Sequence, residues 1–474
     1  MHRVSLNKIS QIIQGEPGIP DLILSDVEGI SIDSRTTRPG DLFFAVQGKR
    51  LDGHQFVADA LAQGAQACVV NRRPEAAGLS QPLIYVDDVN HAFQQFARWY
   101  RSQQQVTVIG VTGSVGKTTT RTMIHTVLAP FLKGVQSPAN YNNEFGVPLS
   151  IAQIISEHQY AVLELGASLP GEIRELARLS QPEIGVITGI GPSHLEHFGS
   201  LEQTAAAKGE LFEALPESGL AILNGDDPFA ASLASKTSAR KLKIGLGTQN
   251  NFQAVAIQQT DEGISFRVDG TEFLVPVRGK HFVYPALFAI AVAKEFGLSN
   301  RELVESLGQF ATVPGRCHIE QIGSWTIIDD SYNSSPVSMA AACRLLNDWT
   351  GGGKRMVVMG DMLELGAESK RYHQEIGELI ASLNIDFLFV CGKQAGAVVE
   401  GALSGKLTQK NVVQAADVEG IRSEVISRLE PGDVVLVKGS RSMQMERLIS
   451  SLKQQAGQQD SQQATSGGKY KSCV

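Results

Sequence analysis

Short, nearly continuous apolar runs take turns along this chain with segments whose apolar residues recur every third or fourth position. The first rhythm belongs to strands buried on both faces, the second to helices that cover them. Together they predict parallel βαβ units. Up to about residue 102 the elements are short and mixed. Helices are expected over Leu6 to Gln14, Phe56 to Gln63 and Asn90 to Arg101, with strands over Ile30 to Arg35, Leu42 to Val46 and Ala67 to Val70. Gly48 to His54 reads as a polar loop. Ser102-Gln103-Gln104-Gln105 reads as a polar break between domains.

After that break the rhythm becomes more regular. Val106 to Thr112, Tyr160 to Leu165 and Ile184 to Thr188 have strand length, and Arg121 to Leu128, Pro148 to Ile155 and Gly171 to Leu179 carry helical spacing. The texture then shifts. Lys241 to Gly247, Phe252 to Gln258, Ile264 to Val268 and Phe273 to Val277 are short alternating stretches, with turns at Asp261-Glu262-Gly263 and Asp269-Gly270, so an antiparallel meander is expected. Helices return at Ala286 to Phe296 and Arg301 to Leu307. From Pro314 onward, strands at Thr326 to Asp329, Met356 to Met359, Phe387 to Cys391 and Val434 to Val437 interleave with helices at Pro336 to Leu346, Lys370 to Leu383, Gln394 to Leu403 and Val418 to Leu429.

The pattern predicts an α/β chain of three domains. A small mixed N-terminal domain covers 1–102. A central parallel-sheet domain with an antiparallel meander covers 103–312, and a C-terminal doubly wound, Rossmann-like domain covers 313–454. The Gln-, Ser- and Gly-rich tail, 455–474, is expected to be disordered. A length of 474 residues suits about three cores.

Composition narrows the setting. Apolar content of 42% and charged content of 19% are those of a globular protein in water, and the net charge of −7 disfavours nucleic acid as a partner. The five cysteines, Cys68, Cys317, Cys343, Cys391 and Cys473, are scattered without CxxC pairing, which suits a reducing cytoplasm. No signal peptide and no membrane-spanning run is expected.

The chemistry begins where the Val106–Thr112 run meets Gly113-Ser114-Val115-Gly116-Lys117-Thr118-Thr119. A strand, a glycine turn, Lys-Thr and a helix form a polyphosphate cradle. Backbone N–H groups and the helix N-terminus face the phosphates, the lysine adds a full charge, and a threonine hydroxyl can hold Mg²⁺. Val111 stands where the common P-loop has its first glycine, so the motif is the shorter TGxxGKT. Glu164 ends the next strand, where a carboxylate reaches a phosphate-bound metal, and His194 follows the strand after that. Asp329-Asp330-Ser331-Tyr332-Asn333 closes the first strand of the third domain, with Arg316 near the junction, positioned for a domain that closes over a nucleotide. Asp33-Ser34-Arg35 reads first as a solvated turn. Lys208 and the Asn142-Asn143 turn carry no signal of their own.

Read together, the motifs DSRTTRPGDLFFAVQGKRLDGHQF, TGSVGKTTT, NYNNEFGVPLS, ELGASLPGEI, HLEHFGS with AKGELF, NGDDP, PGRCHIE, DDSYNSSP, GDMLELG and KGSRSMQME resemble those of the Mur ligases of peptidoglycan synthesis, in order and over nearly the whole chain. The resemblance implies an ATP- and Mg²⁺-dependent, amide-forming ligase. DDSYNSSP, GDMLELG and KGSRSMQME point to the member type whose substrates are UDP-MurNAc-tripeptide and D-Ala-D-Ala. It also implies residue roles. Lys117 would bind phosphate, Thr118 would serve a first Mg²⁺, and Glu164 and His194 would help hold a second. Lys208 would be carbamylated, and Asn142 and Asn143 would face substrate. Arg316 and Asp330 would reach ATP. Ser31, Asp33, Ser34 and Arg35 would hold the uridine end, with Asn333 and Asp361 to Gly366 toward the dipeptide. A monomer is compatible with this. The chain departs from the family at Phe282 and Pro285, where asparagines are usual, and at Ser168. The ligase adding the third peptide residue, folylpolyglutamate synthase and a P-loop switch are the alternatives. The chain has no DNPR-like motif, which argues against the first. Its uridine-type first domain argues against the second, and its large third domain against the last.

Overall fold

The computed structural model describes residues 1–19, 24–72 and 82–467, with side chains to residue 458. Three main sheets follow one another along the chain. The first has five strands in the order Glu16–Pro17, Leu83–Tyr85, Ala67–Val70, Asp41–Phe44, Gly29–Ser31, parallel except at the Glu16–Pro17 edge. The second has seven strands, all parallel: Phe252–Gln253, Arg240–Gly245, Leu220–Asn224, Ile184–Ile187, Thr107–Thr112, Tyr160–Glu164, Gly134–Gln136. The third has six strands: His318–Ile322, Trp325–Asp330, Val434–Lys438, Arg355–Gly360, Phe387–Cys391, Val412–Ala415. Its first pair is antiparallel and the rest are parallel.

The strand Thr107–Thr112 enters the middle of the central sheet. The chain then fills one side of it, with Gly134–Gln136 and Tyr160–Glu164, before crossing to Ile184–Ile187 on the other. That reversal opens a crevice at the carboxyl ends of the strands, where open α/β sheets bind ligands.

Alternate residues of the central strands enter different cores. Ile109, Val111, Val162, Val186 and Ile222 share one apolar cluster with the helices Lys117–Leu128 and Val283–Glu295. Val108, Ala161, Leu163, Ile187 and Ala221 share the other with Phe93, Phe96 and Tyr100 of the helix Val89–Ser102. That helix also packs Phe93 and Phe96 on Phe44 of the first sheet, with ring centroids 5.1 and 6.0 Å apart. One layer therefore serves two sheets, and each fully buried large apolar side chain in it contributes about 1.5–3 kcal/mol. Arg101 ties the same junction. Its buried guanidinium donates to the carbonyls of Ser180, Gln104, Val106 and Gln181 and to the Glu183 carboxylate, while Tyr100 Oη donates to Ile154 O at 2.7 Å.

Three expectations change. Arg240–Gly245 and Phe252–Gln253 join the parallel sheet, so the meander is only Val255–Gln259, Ile264–Val268 and Thr271–Val275. The third sheet gains His318–Ile322 and Val412–Ala415, whose polar residues hid them from an apolar-run reading. The expected disordered tail begins as helix: Glu446–Gly467 runs on through Gln454, with Leu452 and Ala456 buried against the third sheet. The last residues, 468–474, lie outside the described residues.

Candidate active site

The glycine turn opens a cleft of about 1550 Å³, lined by residues of the central and third domains together with Lys49 and Gln94 of the first. Gly113 (φ +145°) has no room for a side chain, since a Cβ there would lie 2.0 Å from Thr188 Oγ1. Gly116 (φ +85°) starts the helix Lys117–Leu128. The turn is braced from the neighbouring strand. Ser114 N donates to Gly189 O at 2.9 Å, Gly191 N to Ser114 Oγ at 3.0 Å, and Thr188 Oγ1 to Val115 O at 2.6 Å. Lys117 Nζ folds back onto Gly113 O at 2.8 Å. Burial lowers its pKa, the nearby Glu164 opposes that, and Arg316 adds to it. Thr118 and Thr119 line the cleft beside it.

Glu164 is almost fully buried at the end of its strand, level with Val111. Asn142 Nδ2 donates to its Oε1 at 2.9 Å, whereas Oε2 has no hydrogen-bond partner. The nearest cation to Oε2 is Arg121 Nη1 at 3.7 Å, itself bound to the carbonyls of Ser137 and Ala139. A buried carboxylate oxygen left without a donor is costly unless a cation approaches it. Among the described residues no three His, Cys, Asp or Glu side chains converge as a metal site. The set fits an ion held by one or two protein oxygens together with phosphates, which is the habit of Mg²⁺. Asn143 serves the turn, its Oδ1 accepting from Gly146 N at 2.9 Å.

His194 lines the cleft in a left-handed conformation (φ +54°). Its Nδ1 meets the carboxylate of Glu364, from the third domain, and lies 3.5 Å from Ser168 Oγ. Glu364 is held below the usual carboxylate range chiefly by that bond. Lys208 is fully enclosed on the helix Leu201–Glu213, donating to Ala167 O at 3.0 Å with Phe198 beneath it. Burial drives its pKa well below the usual value, Lys117 adds to the shift, and Glu172 and Glu210 oppose it.

The third domain brings Arg316 over the turn, its Nη2 3.5 Å from Thr118 Oγ1 and its guanidinium 4.1 Å from the centre of the Tyr332 ring. Gly315 (φ +76°) sets that reach. Asp330 lines the cleft but spends its carboxylate on two buried partners, Lys438 Nζ and Cys317 N. Lys438 also donates to Asn333 O, and the Asn333 side chain accepts from Ser334 N. Lys438 was legible only as part of the KGSRSMQME stretch, and Arg121 carried no sequence signal beyond its place on a helix.

At the departures from the family pattern the wall is apolar and aromatic. The His281 ring packs on Phe282, burial lowers the His281 pKa to about 4, and Tyr284 Oη donates to Asp226 Oδ2 at 3.1 Å. In the first sheet Ser31, Asp33, Ser34 and Arg35 form a tight turn apart from the cleft lining. Arg35 grips Asp33 with Nε and Nη2 at 2.9 and 2.6 Å, and Thr37 Oγ1 donates to Ser31 Oγ. Lys49 and Gln94 represent that domain in the cleft itself.

A glycine turn running into Lys-Thr and a helix, a buried carboxylate with one free oxygen and an arginine brought in from the third domain are the parts that a nucleotide-dependent phosphoryl-transfer enzyme needs. Three family models match in succession: "Mur ligase family, catalytic domain" over residues 26–101, "Mur ligase middle domain" over 111–293 and "Mur ligase, glutamate ligase domain" over 315–441. The chain is 36% identical over 455 residues to the UDP-N-acetylmuramoyl-tripeptide–D-alanyl-D-alanine ligase of Bacillus subtilis, covering 95% of this chain and 99% of that one. It is 34% identical to the enzyme of the same name from Escherichia coli, covering 96% and 99%. The crystal structure of MurF from Acinetobacter baumannii superposes with a TM-score of 0.87 at 31% identity, covering 96% of this chain and 99% of that one. This chain belongs to the Mur ligase family, and it is an ATP-dependent amide-forming ligase.

Proposed function

We propose that the enzyme joins D-alanyl-D-alanine to UDP-N-acetylmuramoyl-tripeptide with ATP and Mg²⁺, in the cytoplasm, as a step of peptidoglycan synthesis. The single structural observation carrying this reading is the free oxygen of buried Glu164 in the cleft that Lys117 and Arg316 also line. The likeness to ligases of that name over nearly the whole chain supports the choice of substrates.

The reaction would run in two transfers. The γ-phosphoryl group passes to the tripeptide's terminal carboxylate, releasing ADP and leaving an acyl phosphate. The dipeptide amine then attacks that carbonyl carbon, the C–N bond forms, the C–O bond to phosphate breaks, and a proton leaves the nitrogen. Lys117 and the N–H groups of Val115 to Thr119 hold the phosphate charge, and Arg316 meets it from the other side. Thr118 would hold one Mg²⁺ and Glu164 and His194 a second, and their charge would offset the approach of two anions. Asn142 positions Glu164. Lys208, deprotonated more readily than an exposed lysine, is poised to take up CO₂ as a carbamate, turning a buried cation into an anion.

Residues 1–102 would hold the uridine end through the Ser31–Arg35 turn, 103–312 the ATP, and 313–454 the dipeptide near Asn333, with Asp330 acting on the nucleotide side through its bond to Lys438. All these groups come from one chain, which supports a monomer. The cytoplasmic assignment draws on the substrate and on the four described cysteines, all buried and unpaired. No helix among the described residues is long and apolar enough to cross a membrane.

The test is purified protein with ATP, D-Ala-D-Ala and UDP-tripeptides ending in meso-diaminopimelate or L-Lys, followed by mass spectrometry. ADP release equal to pentapeptide formed, and only with both acceptors present, is expected. ATP turnover without acceptors and without pentapeptide would overturn the reading.

A further inference from the structure

The Asp361–Gly366 loop leaves the third sheet after the strand Arg355–Gly360 and ends against the central domain. Its base is locked to its own domain. Buried Asp361 accepts the N–H groups of Lys393 and Gln394 at 2.8 and 3.1 Å, Met362 N donates to Nε2 of buried His373 at 2.9 Å, and Leu363 N donates to Ser440 Oγ at 2.8 Å. Its tip belongs to the other side. Glu364 O accepts Glu196 N at 3.0 Å, a Cβ on Gly366 would come within 3.2 Å of Glu196 Cα, and the Glu364 carboxylate binds His194 Nδ1.

Both members of that pair adopt left-handed backbone, φ +62° for Glu364 and +54° for His194. Side-chain-bearing residues avoid this region unless the surroundings hold them there. Here two of them face each other across a domain boundary. A carboxylate at Nδ1 fixes the imidazole tautomer, placing the proton on Nδ1 and the lone pair on Nε2. Among the described residues Nε2 takes no hydrogen bond, and the ring borders the cleft. A carboxylate behind a histidine whose other nitrogen faces a cation is the arrangement that orients metal-binding histidines.

We infer that Glu364 is a positioning residue for the cation site: the third domain supplies, across the cleft, the carboxylate that aims His194. This rests on the Mg²⁺ site proposed above and adds to it a coupling. Because the loop base is rigid in its own domain, Glu364 arrives only when that domain closes. Cation affinity and closure are then linked, and each strengthens the other by the same factor. A plain ion pair at a partly exposed rim would add little to stability and would leave cation binding unchanged.

The test uses the full-length protein saturated with a non-hydrolysable imido analogue of ATP. Mn²⁺ binding is followed by electron paramagnetic resonance, and closure by small-angle X-ray scattering. Wild type should bind Mn²⁺ in two classes and become more compact as the weaker class fills. H194A should lose the weaker class. E364A should weaken it by about tenfold and lose the compaction, with E364Q, which keeps the acceptor oxygen, between the two. E368Q, on the exposed partner of Arg371, should match wild type. A single Mn²⁺ class in wild type overturns both His194 as a ligand and the role of Glu364. Two classes in wild type with a shift under threefold in E364A overturn the role of Glu364 alone.

Discussion

Asn142 holds Glu164 by one carboxylate oxygen and leaves the other bare. The bond spans 22 residues and crosses from the NYNNEF turn to the end of a central strand. It sets which oxygen faces the cleft. Asn142→Ala should therefore lower kcat about 10–100-fold and raise the Mg²⁺ concentration for half-maximal rate. Loss of a hydrogen bond to a charged group should cost about 1.5–3 kcal/mol of stability. Initial rates across a Mg²⁺ series, with urea unfolding of the same sample, measure both. Unchanged Mg²⁺ dependence would refute the positioning role.

Lys117→Ala removes the full charge at the phosphate turn while leaving the turn's own braces, Ser114, Thr188 and Gly191, in place. ADP release should fall by at least about 10²–10³-fold, the scale of a lost oxyanion donor, with an unchanged circular dichroism spectrum. Near-normal turnover would remove Lys117 from the reaction.

Lys208 links stability to pH through burial. Its folded pKa lies well below the unfolded value of 10.5. Between those two values the unfolded chain binds a proton that the folded chain does not. Stability contributed by this group is therefore low at acid pH and rises as pH increases toward 10.5. Lys208→Met should flatten that rise in a series of denaturation curves. Lys208→Ala should lose the activity of bicarbonate-treated wild type and regain part of it with short carboxylic acids. Full activity in Lys208→Ala would count against carbamylation.

The pair Asp330–Lys438 is buried on both sides. Lys438→Met strands the Asp330 carboxylate with Cys317 N as its remaining partner, and should destabilise by about 3–5 kcal/mol. The double variant Asp330→Asn, Lys438→Met should recover much of that loss. A double variant no more stable than the single would show that the pair is not the origin of the loss.

The phosphate turn was legible because its chemistry is local: strand, glycines, Lys-Thr and helix are consecutive. Glu164 was legible from its place at a strand end. Lys438 was not, because what brings it to Asp330, 108 residues away, is the register of two parallel strands. Glu364 reaches His194 through a domain contact that no periodicity encodes. Lys208 stayed silent because a single lysine on a helix that also carries Glu202, Glu210 and Glu213 reads as an ordinary solvated charge. The tail misled for a related reason. Its Gln-rich composition lacks an apolar stripe, yet Ala456, one turn on from Leu452 in the same helix, seats its start on the third sheet.

Arg101 and the helix Val89–Ser102 bear on how the molecule can be cut and recombined. The linker composition at 102–105 suggests a seam, and the sheets do separate there. The cores do not, because Phe93, Phe96 and Tyr100 cluster with Ile151, Ile154, Leu176 and Ala177. A fragment starting at Gln103 would leave that apolar seat bare and lose the guanidinium that satisfies four carbonyls, so it should be expressed as insoluble material. A chimaera with a foreign first sheet would instead have to splice after Ser102 and import a helix matched to this seat. The unit of exchange in this protein is thus a sheet together with the helix that roofs its neighbour.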